Sequence, residues 1–232
     1  MQNDAILILF AKAPDPGSVK TRLRPMLSPE ERARLQAALI LDTLSLSDPL
    51  PVRRALAATP VDHPFLVQCS RERSIPLIAQ EGESLGDRMR TAFEWGFGQG
   101  FQKVVLIGCD APTLPVDFIR QAFDLLDRSP RVVGPSLDGG YYLIGARPPL
   151  ADLFSGVRWG SDQVLISTLR KVNAEKLECA LLPFWYDLDR PADLILLKEM
   201  FELHERQGAP LPKKTHAFLR SLSWEGRDEG GK

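Results

Sequence analysis

Residues 103–115 read Lys103-Val104-Val105-Leu106-Ile107-Gly108-Cys109-Asp110-Ala111-Pro112-Thr113-Leu114-Pro115, a branched apolar run that gives way to a glycine, a carboxylate and a proline-marked turn. A run this short, apolar at successive positions, is how a strand buried on both faces reads. After Pro115 the apolar residues Phe118, Ile119, Ala122, Phe123 and Leu126 recur at helical spacing. Two further runs, AILILFA at 5–11 and RVVGPS at 131–136, have the same strand character. Between them Ser28-Pro29-Glu30-Glu31 forms a capping box with proline at the first helical position, ahead of Leu35, Ala38, Leu39, Asp42 and Leu46. A second helix is expected from about Ser84 through Met89, Phe93 and Phe97. Strands alternating with helices imply one α/β domain with a mostly parallel, Rossmann-like sheet and helices on both faces. Its ligands should sit beyond the strands' carboxyl ends.

Bulk properties narrow the function. The 232 residues, 44% of them apolar, suffice for one full core. With 29 Lys and Arg against 30 Asp and Glu there is no basic field for nucleic acid or an anionic membrane. Cys69, Cys109 and Cys179 are scattered and form no CxxC pair, which fits a reducing, cytoplasmic setting without a zinc site. The apolar run near the N-terminus is short and bracketed by Asp4 and Lys12, so neither signal peptide nor membrane span is expected. His63, His204 and His216 share no spacing and are expected at the surface. Beyond Gln207 the chain gains Gly, Pro and Lys. The expected division is a domain over 1–206 and a partly flexible C-terminal extension over 207–232, frayed from Trp224 onward.

Four loops could carry chemistry. Lys12-Ala13-Pro14-Asp15-Pro16-Gly17-Ser18-Val19-Lys20-Thr21-Arg22-Leu23 places glycine, backbone amides and three cations directly after a buried strand. That suits a phosphate cradle, or else a solvated turn, and it is neither a Walker loop nor a GxGxxG fingerprint. Asp110 stands just past a strand, where a carboxylate reaches a metal or serves the turn. Asp138-Gly139-Gly140 separates two strand-like runs and reads equally as a hairpin turn and as a ligand loop. In Asp187-Leu188-Asp189 the two carboxylates are two residues apart and share one side of an extended segment, as a hard divalent cation would want, while Asp193 opens the helix that follows.

Taken together and in order, FAKAPDPGSVKTRL, QEGESLGDRM, LIGCDAPTLP, GPSLDGGYYLIG and DLDRPADL resemble the bacterial family provisionally assigned as glycosyltransferases with the GT-A, or nucleotide-diphospho-sugar transferase, fold. The resemblance spans residues 5–206. It implies that Lys20 and Arg22, with the Lys12, Gly17 and Ser18 loop, contact nucleotide phosphates from an open crevice, and that the backbone around Gly82, Leu85 and Gly86 borders the base. It further implies that Asp110 and Asp189 hold a divalent cation, Mg2+ or Mn2+. Asp138, Gly139, Gly140 and Tyr141 would face the sugar or acceptor, with Asp138 as the candidate base and with Trp159 and Asp162 as further candidates. The implied partners are a nucleotide-diphospho-sugar or other nucleotide and a small-molecule acceptor. A second stretch, VKTRLRPMLSPEERARL, is similar to guanylyltransferases that activate 2-phospholactate. That keeps nucleotidyl transfer with pyrophosphate release as an alternative, although Asp138-Gly139-Gly140-Tyr141 departs from those enzymes and favours sugar transfer. A non-catalytic nucleotide-binding module is the third reading.

Overall fold

Ala5 to Leu9 are buried almost completely, and their alternation feeds two different layers. Leu7, Leu9 and Ala11 of strand β1 (Gln2–Lys12) face a core shared with helices α1 (Pro29–Ser47), α2 (Pro64–Arg73) and α4 (Val116–Leu125). Ile6 and Ile8 face the opposite core, closed by α3 (Leu85–Gly98) and α5 (Val164–Ala174). A strand buried on both faces cannot alternate apolar with polar, which is why the run is continuous. The computed structural model describes residues 2–225, so most of the expected frayed tail lies outside the described residues.

The sheet has seven strands in the order β3-β2-β1-β4-β6-β5-β7, where β2 is Val52–Thr59, β3 Leu77–Ala79, β4 Lys103–Ile107, β5 Arg131–Pro135, β6 Tyr141–Ala146 and β7 Ala180–Leu181. β1 pairs in parallel with both β2 and β4, and β5 with β7, whereas β6 runs antiparallel between β4 and β5. The mostly parallel α/β sheet expected from the alternation is therefore present. The single reversal matters for the site: β6 begins, with Tyr141, at the edge where β1 and β4 end.

Local signals set the helix starts. Ser28 and Glu31 complete the capping box of α1, and Ser84 with Asp87 does the same for α3. Past α6 (Pro191–Gln207) the chain forms α7 (Lys213–Arg220), whose Phe218 and Leu219 share a third cluster with Leu35 and Leu39 of α1 and with Leu194, Leu197 and Phe201 of α6. Asp42, buried in α1, accepts hydrogen bonds from the amides of Lys214 and Thr215 at 3.0 and 2.7 Å, so it caps α7 from a distance. Among the described residues no helix is long and apolar enough to cross a membrane.

Candidate active-site crevice

The carboxyl ends of β1, β2 and β4 meet the start of β6 around a cleft of about 350 Å³, lined among others by Lys12, Leu85, Arg88, Asp110, Tyr141 and Asp187. Parallel strands direct their following loops to one edge, and the reversed β6 contributes from its first residues instead. None of the histidines lines it. All three are half-buried, so the surface placement read for them is only partly met.

The loop after β1 is closed by its own polar groups. Lys12 Nζ donates to the Ser18 carbonyl at 2.8 Å, and the Ser18 hydroxyl donates to the carbonyl of Asp15 at 3.1 Å. Gly17 takes a φ of 85°, which glycine adopts without steric penalty. Lys20 corrects an expectation: its ammonium does not face an open crevice. Its side chain is 3% exposed, with Nζ 2.6 Å from Asp110 Oδ1 and donating to the Leu188 carbonyl at 2.6 Å. The Leu188 amide in turn donates to the Asp110 carbonyl at 2.7 Å. Three distant segments converge there, and the ammonium supplies both the countercharge for Asp110 and the donor that Leu188 lacks. Arg22, two residues on, is exposed as expected and pairs with Asp189.

Asp187 and Asp189, expected to act as a pair, take different partners. Asp189 is held by Arg22. Asp187 lines the cleft half-buried and accepts from the Ser136 hydroxyl at 3.0 Å. Burial, then the charges of Asp110 and Asp138, push its carboxyl up to about 7, against the Ser136 hydrogen bond and Lys20. Asp187 thus stands near two further carboxylates, those of Asp110 and Asp138. Among the described residues no three His, Cys, Asp or Glu side chains form a metal cluster. The cation pair expected from the resemblance is Asp110 with Asp189, but Asp189 is taken by Arg22 and does not line the cleft, whereas Asp187 shares it with Asp110; one or two protein carboxylates suffice for a Mg2+-like ion that also takes substrate phosphate oxygens. Asp193 accepts from the amides of Asp189 and Arg190 at 3.0 and 2.7 Å and opens α6, as its position indicates. Cys109 is no candidate nucleophile, since burial and the neighbouring Asp110 push its thiol up to about 12.

Leu85 and Tyr141 reach the cleft from segments that pack closely at two glycines. Asp138-Gly139-Gly140 is the turn of the β5–β6 hairpin, and the exposed Asp138 accepts from the Gly140 amide at 2.9 Å through Oδ1. Gly139 has a φ of 89°, and a Cβ there would lie 2.1 Å from the Asp162 carbonyl oxygen. A Cβ on Gly86 would lie 2.6 Å from the Trp159 ring, which meets Tyr141 edge-on at 6.5 Å between centroids. Trp159 and Asp162 therefore pack behind the residues that line the cleft, the first through its ring and the second through its backbone, and do not line it themselves, while the Asp162 carboxylate accepts from Gln163 at 3.1 Å. Gly82, at φ 133°, lies against the first turn of α3, where a Cβ would meet Asp87 at 2.5 Å.

Gln80 and Arg88 are among the lining residues that were not singled out from the sequence. Gln80 donates to the carbonyls of Ala11 and Ala57 at 3.1 and 2.8 Å, tying β1 and β2 together at the cleft. Arg88 donates to the Gly82 carbonyl through Nε at 3.2 Å and keeps the rest of its guanidinium for the cleft it lines. The available signal was their place in QEGESLGDRM, at the two ends of the loop and first turn that hold Gly82, Leu85 and Gly86.

Residues 43–161 match the sequence profile of a bacterial family described as an uncharacterized protein conserved in bacteria, DUF2064. A structure from Desulfovibrio desulfuricans, provisionally assigned as a nucleotide-diphospho-sugar transferase, is 31% identical, with a TM-score of 0.84 over 94% of this chain and 95% of that one. Two more distant structures are alike in fold alone. One is 4-diphosphocytidyl-2C-methyl-D-erythritol synthase from Anaerococcus prevotii (TM-score 0.57, 10% identity, 86% of this chain and 99% of that one). The other is glucosyl-3-phosphoglycerate synthase from Mycobacterium tuberculosis in complex with Mn2+ and UDP (TM-score 0.50, 12% identity, 90% and 81%). No curated protein matches the chain in sequence.

Proposed function

This chain belongs to the DUF2064 family, and from that premise we propose that it is a transferase that takes a sugar from a nucleotide-diphospho-sugar and passes it to a small-molecule hydroxyl. The observation that carries the reading is the crowding of Asp110 and Asp187 at one cleft, with Lys20 bound to Asp110 and with Tyr141, backed edge-on by Trp159, lining the same cleft. The assignment of the Desulfovibrio structure supports the class of substrate.

In this reading the nucleotide phosphates lie along the Lys12–Arg22 loop, with Arg22 and Arg88 as the mobile cations, and the base rests near Leu85. Arg22 would exchange Asp189 for phosphate, a planar guanidinium being suited to either anion. A Mg2+ or Mn2+ ion held by Asp110 and Asp187 would supply the charge that stabilises a departing diphosphate. The acceptor's hydroxyl oxygen forms the new bond to the anomeric carbon. The bond from that carbon to the β-phosphate oxygen breaks, and the nucleoside diphosphate leaves with the electron pair. Asp138, exposed at the rim, takes the acceptor's proton. Tyr141, held in place by the Trp159 ring, offers an aromatic surface to the apolar face of the sugar.

The test is incubation with a panel of nucleotide sugars and, separately, with nucleoside triphosphates plus phosphorylated small molecules, each with and without Mn2+, measuring released nucleoside diphosphate and pyrophosphate. Nucleoside diphosphate should appear slowly even without an acceptor, since water can replace it, and Asp110→Asn should abolish it. Pyrophosphate released from a nucleoside triphosphate and a phosphorylated small molecule would assign nucleotidyl transfer instead. Tight nucleotide binding with neither product would leave a non-catalytic module.

A further inference from the structure

At the amino ends of the same strands lies a second cavity, of about 490 Å³, with chemistry opposite to that of the crevice. It opens between the starts of β1 and β2 and the ends of α2 and α3. Arg53, Arg54, Arg73, Trp95, Gln99 and Phe101 give it its character, and no Asp or Glu lines it. Ile6 lines this cavity and Lys12 the crevice; six residues of extended strand separate them by about 20 Å. The two are distinct sites.

The arginines are not equivalent. Arg54 is neutralised by Asp48 and also donates to the Ser47 hydroxyl at 3.1 Å. Arg53 and Arg73 have no carboxylate within ion-pair reach among the described residues. Arg73 Nη2 reaches the Ser45 hydroxyl at 3.4 Å, while its Nε is buried without a hydrogen-bond partner. Glu72, its neighbour in sequence, instead accepts from Gln68 at 2.7 Å. The C-terminal carbonyls of α2 offset the Arg73 charge in part. What remains is a pair of unmatched guanidinium groups beside two half-buried aromatic rings, Trp95 and Phe101.

We propose that this cavity binds a small planar anion, an aromatic ring bearing a phosphate or carboxylate. The anionic group would be held by Arg53 and Arg73, which match either oxyanion through paired N–H donors. The ring would lie on Trp95 and Phe101, where an apolar body gains from leaving water. The volume is that of pockets that hold ligands of this size. The proposal is independent of what the crevice catalyses.

Isothermal titration of the intact protein with indole-3-acetate, phenyl phosphate and inorganic phosphate tests it. Saturable binding of at least one ring-bearing anion, tighter than that of phosphate, is expected, and which one binds separates a carboxylate from a phosphate source. Arg53→Glu should weaken that binding by about tenfold or more. Because Arg53 is exposed, this variant should fold as the parent does, which circular dichroism would verify. Arg73→Lys keeps the charge but loses the planar fork and should weaken binding less. Asp110→Asn, which alters the crevice, should leave it unchanged. Absence of binding by both ring-bearing probes, an unchanged affinity in Arg53→Glu, binding of phosphate as tight as theirs, or loss of binding in Asp110→Asn would each overturn the proposal.

Discussion

At the floor of the crevice Lys20 lies buried against Asp110 and the Leu188 carbonyl, whereas at its rim, two residues later, Arg22 reaches Asp189 in the open. Each is a cation on a carboxylate, and each joins the loop after β1 to a distant segment. The buried cation has surrendered its water and gained a carboxylate and a backbone carbonyl in exchange, so its removal leaves the carbonyl of the buried Leu188 without a donor and returns the half-exposed Asp110 to water. The exposed pair exchanges with water and salt at little net change in energy. The floor therefore maintains the shape of the site, and the rim is free to trade a protein carboxylate for a ligand phosphate.

Four substitutions would break or sharpen that contrast. Lys20→Ala should lower stability by about 2 kcal/mol in chemical denaturation, because it leaves the Leu188 carbonyl without its donor and takes the cation from the half-exposed Asp110. Adding Asp110→Asn to that variant should recover part of the loss, the two sites being directly coupled. An unchanged midpoint for Lys20→Ala would erase the distinction between floor and rim. Next in size, Asp187→Asn should stabilise the unliganded protein at pH 8 by about 1 kcal/mol, because it removes one of the crowded charges. The same variant should lose the extra thermal stabilisation that nucleotide with Mn2+ confers on the parent. If both effects were absent, Asp187 would not belong to the cation site. The smallest change is expected from Arg22→Ala. Its unfolding midpoint should move by less than about 1 kcal/mol. Its nucleotide affinity should nevertheless fall by about tenfold, a loss that high salt should imitate in the parent protein.

The same contrast explains what could be read from the amino-acid order. Residues 5–11 and 103–107 are legible as strands because both faces are buried, and the starts of α1 and α3 because Ser28 and Ser84 each carry a local capping partner. β3 and β7, with three and two residues, are too short to show any period. β2 begins Val52-Arg53-Arg54, which hides its apolar second half. In the site, Asp110 and Tyr141 are legible because each adjoins a recognisable strand. Burial of Lys20 is not, since it depends on a carbonyl 168 residues away. The alternation that puts Asp187 and Asp189 on one side says nothing of Ser136 or Arg22, the groups that divide them.

The two close approaches at Gly86 and Gly139 bear on how the crevice could move. With a Trp159 ring where a Cβ on Gly86 would stand, and the Asp162 carbonyl where one on Gly139 would stand, the start of α3, the β5–β6 turn and the 159–162 segment fit against one another without slack. The Gly139 carbonyl also accepts from the Leu165 amide at 2.8 Å, which ties the turn to α5. A single loop in this assembly could not flap while the others stayed in place. Opening to admit a bulky substrate would instead swing the whole wall as a plate, with its hinges at the margins of these segments rather than at the glycines within them.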